Sequence, residues 1–284
     1  MTQSFSLPGL SMANEERLSA LLGPKVTSLT PETLQALPMT IYGATDPELK
    51  RLGIEASGNP DLTVIVTDPE RPIGQLRVEV GGGGSLLFFD NRTSSGRETG
   101  GRETSGQLHG NIRILGSDCA VMFDRIGDSY IAFHDVFLRS SNQLLFWGAG
   151  ATAVGVSIEV EGEGRAVVIG DDALISSGIW IRNHDMHAVH DIRTGERINR
   201  PPVDTVLERH VWLGQNALLL NCQRIGTGSI VGATSLVKGV VGEYVAIAGT
   251  PARVIRYQVS WGREASGMTE LERSALGLGP VAEN

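Results

Sequence analysis

Along the second half of the chain an aliphatic residue returns at every sixth position. Ile169, Ile175 and Ile181 open the series, and after a break it returns at Leu207, Leu213, Leu219, Ile225, Val231 and Val237, with no gap among these six. Glycine follows several of them, at Gly170, Gly214, Gly226 and Gly232, and Ala173, Ala217, Ser229 and Ser235 fall four places after the aliphatic residue. Neither the strand period of two nor the helical period of 3.6 gives this spacing. A chain wound as a triangular prism does: it lays down about six residues per flat side, with the aliphatic residue pointing to the axis. The small residues near the corners permit a tight turn against the coil above.

Before this region, from Leu62 to about residue 165, the chain carries short β-branched runs such as Thr63-Val64-Ile65-Val66 and Leu76-Arg77-Val78-Glu79-Val80, broken by turn residues. They predict further, irregular coils. The first sixty residues read as short helices. Asn14 is placed to cap a segment carrying Leu18, Leu21 and Leu22 that stops at Gly23. Thr30-Pro31-Glu32 and Asp46-Pro47-Glu48 each set a capping side chain before proline at a first helical position. Leu34 with Leu37, and Leu49 with Leu52, then share a face, and Gly58-Asn59-Pro60 marks a turn. The expected organisation is a helical cap over 1–60, a β-helix over 61–257 that is irregular to about 165, and a tail over 258–284. Residues 92–106 repeat Gly-Arg-Glu-Thr at 96–99 and 101–104 and read as a polar surface loop, or as one that reaches a neighbouring subunit.

Composition narrows the function classes. In 284 residues there are 36 glycines and only 5% aromatics, which argues against a helical bundle. A net charge of −8 and a pI near 5.3 exclude a broad basic face for nucleic acid but leave room for a local basic pocket. The longest uncharged run, Ser140 to Ile158, is interrupted by Asn142, Gln143, Gly148, Gly150 and Gly155, too polar for a membrane span. The first residues show no basic segment followed by an apolar core, so no signal peptide is expected. Cys119 and Cys222 cannot form a disulfide framework, and a reducing, cytoplasmic setting is expected.

With the six-residue period, three stretches carry a resemblance: Val211-Trp212-Leu213-Gly214, then the run from Ile225 to Ala233, then the run from Ala248 to Arg256. The chain resembles the hexapeptide-repeat acyltransferases, over about residues 165–257. That implies an all-β fold, a left-handed parallel β-helix with a small N-terminal helical segment and a loop inserted between coils. Within the family it is most similar to the sugar and capsular-polysaccharide O-acetyltransferases, whose inserted loop has the form Asp-x-His followed by Gly-Glu-x-Ile-Asn. Here the loop leaves after Ile181 and reads Arg182-Asn183-His184-Asp185-Met186-His187-Ala188-Val189-His190-Asp191, then Thr194-Gly195-Glu196-Arg197-Ile198-Asn199.

An alcohol is a poor nucleophile at neutral pH, and a neutral imidazole within hydrogen-bond reach takes its proton as it attacks a thioester. The resemblance assigns this general base to His187, with Asp185 or a backbone carbonyl orienting its ring. His184 stands where the family has a small polar residue, and His190 where an aromatic is common. His184, Asn199 and Ser157 are the expected acceptor contacts. Ser157 replaces the asparagine that simple sugar acetyltransferases carry one coil before the histidine.

The donor implied is acetyl-CoA, bound between β-helices of neighbouring subunits in a homotrimer. Trp212 matches the aromatic beside that groove, Gln215 and Ala233 its thioester end, and Lys238, Arg253 and Arg256 the basic end that meets the nucleotide phosphates. Two departures stand out: Lys238 sits one place early, before Gly239, and Thr250 replaces the family's asparagine before Pro251. The acceptor implied is a hydroxyl of a sugar or glycan precursor, although the scaffold also serves amines and antibiotics. No metal is expected. The alternatives are a metal enzyme of the gamma carbonic anhydrase type, using histidines as zinc ligands, and a non-catalytic interaction scaffold.

Overall fold

A computed structural model describes residues 5–93, 107–199, 201–277 and 279. The Gly-Arg-Glu-Thr duplication lies outside them. The chain winds into a left-handed parallel β-helix of three faces. On the first face Ile54–Gly58, Gly74–Val80, Gln107–Ile114, Tyr130–Leu138, Thr152–Val160 and Ile179–Arg182 pair in parallel, each with the next. Leu62–Val66, Ser85–Phe89, Ala120–Phe123, Leu144–Trp147, Ala166–Ile169 and Thr205–Leu207 do the same on the second. Leu218–Ile225 and Leu236–Val241 each begin on the first face and end on the second. The third face is built from Leu174–Ile175, Trp212–Leu213, Ile230–Val231 and Val245–Gly249, and Ala252–Tyr257 folds back antiparallel onto the last of these.

The six-residue period describes the last coils closely: Trp212 and Ile230, eighteen residues apart, sit in register. Upstream the coils are longer and uneven: Ile131 pairs with Ala153 and Ala153 with Ile175, twenty-two residues apart, while Ala120 pairs with Leu144, twenty-four apart. The extra residues bulge where strands such as Thr152–Val160 turn from the third face onto the first. Glycine near the regular corners has a steric cause. A Cβ on Gly214 would lie 2.7 Å from the Ala233 nitrogen, and one on Gly226 would lie 2.6 Å from the Glu243 nitrogen, both backbone atoms of the next coil.

The N-terminal segment departs from the expected cap. Helices form at Met12–Leu21 and Pro31–Gln35, the second capped by Thr30 as its sequence predicts. The first helix is capped by Ser11 rather than Asn14, whose buried amide instead donates to the Asp118 carbonyl at 2.7 Å. The segment does not plug the end of the prism. Phe5, Leu7, Leu18, Leu22, Val26, Leu29 and Leu34 lie along the outside of the second face, against Leu86, Phe88, Met122, Leu144, Phe146 and Val168. The end is closed by Leu49 and Leu52, and the first coil begins at Ile54, inside the stretch expected to be helical.

The residues after Tyr257 are also tied to the prism. Trp261 stacks on His210 with ring centroids 4.1 Å apart and donates its indole N–H to the His210 carbonyl at 2.9 Å. Arg263 reaches Asp172 at 2.7 Å and the carbonyls of Gly150 and Ala173 at 3.2 Å. A short helix, Glu270–Ala275, follows with Thr269 as its cap. No described helix is long and apolar enough to cross a membrane.

Candidate active site

The loop over 183–204 leaves the prism at the corner between the first face, after Ile179–Arg182, and the second, before Thr205–Leu207. Its base is fixed by Asn183, which is buried and donates to the carbonyls of Glu161 and Val203, both at 2.9 Å, closing the two ends of the loop together. Beyond this root the backbone doubles back. Asn199 donates to the His187 carbonyl at 2.9 Å and to Asp185 Oδ2 at 3.1 Å, while its own oxygen accepts the Val189 amide at 2.9 Å. The His187 amide donates to the Asp185 carbonyl at 2.8 Å. Lys238, at the same corner two coils further on, places its ammonium 3.7 Å from Asp185 Oδ1.

The loop thus gathers four residues singled out from sequence: His187, Asp185, Asn199 and Lys238. The His187 ring is exposed and has no hydrogen-bond partner among the described residues. Asp185 does not orient that ring here; its carboxylate takes Asn199 and Lys238 instead. Lys238 was expected at the phosphate end of the donor groove, and its contact with Asp185 puts it beside the imidazole loop.

His184 is placed differently from an acceptor contact. It is 2% exposed, with its Nε2 turned 3.8 Å from Glu159 Oε2, and Nδ1 accepts the Met186 amide at 3.0 Å. Burial pushes its pKa down, against the pull of Glu159 and Glu161, so a neutral ring is favoured. Ser157 lies on the first face in register with Trp180, half-buried, one coil before the loop. Trp180 is exposed, with the Arg182 guanidinium 4.6 Å above its ring.

Of the expected donor residues other than Lys238, Gln215 and Ala233 lie at the corner between the third and first faces, and Trp212, Arg253 and Arg256 along the third face. Trp212 faces outward on the third face and lies 6.1 Å from Trp261. Gln215 and Ala233 stand exposed on successive coils, linked by the Thr234 amide donating to the Gln215 carbonyl at 2.8 Å. Arg253 and Arg256 are exposed on the final strand, where Arg253 pairs with Ala248.

Three features were not foreseen. Glu159, with Arg139 and Arg182 bound to it, lies under the loop root. Its partners are 20 and 23 residues away in sequence, a spacing that the eighteen-residue period does not flag. The docked Trp261 and Arg263 are the second. The third is Asp172, His210 and Glu272, whose possible ligand atoms lie within 4.8 Å of one another. Arg263 occupies that group: its Nε donates to Asp172 and its amide to Glu272, while His210 bonds Asp172 and the Trp261 carbonyl. Burial would raise the Asp172 pKa, but the His210 hydrogen bond and Arg263 together hold it below the usual carboxylate range. A guanidinium held there makes the group an ionic clasp for the C-terminal segment. The loop histidines do not converge either, since His184 is buried against Glu159 and His190 bonds the Gly195 carbonyl at 3.0 Å. The cysteines are buried, which pushes Cys119 up to about 11 and Cys222 up to about 12 and makes both poor nucleophiles.

No family model matches the chain. Relatives match over part of the chain. WbbJ of Escherichia coli (strain K12), assigned to lipopolysaccharide biosynthesis as an O-acetyl transferase, is 36% identical over 99 residues, 32% of this chain and 50% of its own length. The polysialic acid O-acetyltransferase of Neisseria meningitidis is 38% identical over 69 residues, 24% of this chain and 32% of its own. The chain therefore spans between a third and a half of these relatives. Among solved structures, the polysialic acid O-acetyltransferase OatWY aligns with a TM-score of 0.54 at 22% identity, covering 78% of this chain and 93% of that one, a likeness of fold.

Proposed function

We propose that the chain is a hexapeptide-repeat acyltransferase that transfers the acetyl group of acetyl-CoA to a hydroxyl of a sugar or glycan precursor, with His187 as general base. The observation that carries this reading is the exposed His187 ring on a backbone pinned by Asn199 and backed by Asp185 and Lys238. Such a group is held in place yet open to an incoming hydroxyl. The partial relatives named as O-acetyltransferases support the same chemistry.

In the proposed reaction the acceptor O–H gives its proton to a His187 ring nitrogen as the oxygen bonds to the thioester carbonyl carbon. A backbone N–H from an adjacent coil stabilises the oxyanion. The carbon–sulfur bond then breaks, and the departing thiolate takes the proton from His187, leaving acetyl ester and free thiol. Trp212, Gln215 and Ala233 would line the donor, with Arg253 and Arg256 toward its phosphates. Lys238 would hold the Asp185 carboxylate in place rather than bind phosphate.

The proposed assembly is a cytoplasmic homotrimer. The loop exposes Met186, Val189, Ile192 and Ile198, with Ile192 at 99%, a run of apolar side chains that a neighbouring copy would cover. Threefold closure would make every donor groove equivalent. Light scattering should give about three times the 30.3 kDa of one chain. With acetyl-CoA and a panel of neutral and acidic oligosaccharides, free thiol and O-acetyl ester should appear in equal amounts. Thiol release without any acetylated acceptor across that panel would overturn the proposal.

A further inference from the structure

Three cationic or N–H-bearing side chains converge on one carboxylate beneath the root of the loop. Glu159, only 7% exposed, accepts Arg182 Nη2 at 3.0 and 3.1 Å and Arg139 Nη2 at 3.3 Å. His184 Nε2 points at the same carboxylate from 3.8 Å and is buried without a hydrogen-bond partner among the described residues. On its other side, His184 Nδ1 accepts the Met186 amide. An imidazole nitrogen that accepts carries no proton, so the ring's hydrogen is on Nε2, facing Glu159.

Met186, immediately before His187, has φ +65°, in the left-handed region that a methionine rarely adopts unless its surroundings enforce it. What enforces it here is the bond from its amide to His184. On the other side Asn199 holds the His187 carbonyl. The backbone of His187 is therefore gripped from both directions, and one grip runs through a buried ring down to Glu159 on the preceding coil.

We propose that His184 is a positioning residue for the acyl-transfer reaction: it accepts the Met186 amide and, oriented by the Glu159 carboxylate, sets the left-handed turn that presents His187. This rests on the reading of His187 as the base. It also replaces the expectation that His184 touches the acceptor.

The test compares His184→Ala with His184→Asn, whose side-chain oxygen can accept the Met186 amide. The first readout is hydrogen–deuterium exchange of the Met186 and His187 amides in the intact protein, which needs no substrate. The second is the split between kcat and KM with acetyl-CoA and an accepted oligosaccharide. His184→Ala should speed exchange at these amides at least about tenfold. It should lower kcat about ten- to a hundredfold, the scale of a slight misplacement of the base, with both KM values within about twofold of the wild type. His184→Asn should restore most of the protection and of kcat. Should His184→Ala not fold, His184→Leu fills the space without accepting a hydrogen bond and takes its place. Unchanged exchange in the apolar variant overturns the proposal, and so does a fall in kcat that Asn does not rescue or a rise confined to the acceptor KM. If the wild type transfers no acetyl group, the acyltransferase reading fails, while the exchange measurement still decides whether His184 holds the turn.

Discussion

Asp124 offers a test that follows from the fold alone. It sits at the end of Ala120–Phe123 on the second face, 1% exposed, and beyond the neighbouring Arg125 its carboxylate has no hydrogen-bond partner among the described residues. Burial raises its pKa from 3.8 to about 7; Arg125, 3.4 Å away, pulls it down, while Asp171 and Asp90 push it further up. The folded protein therefore binds a proton here that the unfolded chain has already lost, and this contribution to stability must fall as pH rises. The loss begins near the ordinary carboxylate value and levels off above the raised one, at about 1.4 kcal/mol per pH unit between. From about pH 5 to about pH 8 this single group removes roughly 3 kcal/mol. Asp124→Asn carries no ionisable group, so its stability relative to wild type should improve by that amount over the same interval. With an unfolding entropy of roughly 0.6 kcal/mol/K for a chain of this size, the difference in Tm should move by about 5 °C in favour of the variant. Paired thermal scans of both proteins at the two pH values measure it. An offset that stays constant with pH would refute the reasoning, because it would mean that Asp124 holds no proton that depends on folding.

Two further outcomes concern the candidate site. Asn199→Ala frees both the His187 carbonyl and Asp185, and should lower kcat about tenfold or more while leaving acetyl-CoA affinity unchanged, read by steady-state kinetics and calorimetry. Arg253→Ala should raise the KM for acetyl-CoA roughly tenfold, the scale of one charge-assisted contact, without moving the acceptor KM; equal binding of coenzyme A and its dephospho form by both proteins would contradict that placement.

The regular coils were legible because each of their sides uses about six residues, so inward aliphatics and corner glycines recur at fixed spacing. The upstream coils hid the same architecture behind bulges and insertions that lengthen each turn to twenty-two residues or more. The N-terminal strap left a trace that periodicity alone does not decode. Ser85–Phe89, Ala120–Phe123, Leu144–Trp147 and Ala166–Ile169 are buried at every position, and a wholly apolar strand means that both sides of the sheet are covered. What covers the outer side, Leu18, Leu22 and Leu34, lies far away in sequence. In the candidate site, the Asp-x-His and Ile-Asn elements identified His187, Asp185 and Asn199, which the loop does bring together. The environment of His184 was not readable, because it depends on Glu159, Arg139 and Arg182 meeting across coils of irregular length. Nor did the sequence indicate that Lys238 would reach across two coils to Asp185.

His187 carries the proposed chemistry. Steady-state acetyl transfer by His187→Ala, measured with saturating acetyl-CoA and an oligosaccharide that the wild type accepts, should fall about a hundred- to ten-thousandfold, the contribution of a general base. Light scattering and calorimetry on the same sample should show the assembly and acetyl-CoA binding unchanged. Turnover near the wild-type rate in a variant that still assembles and binds its donor would contradict the assignment of His187 as the base.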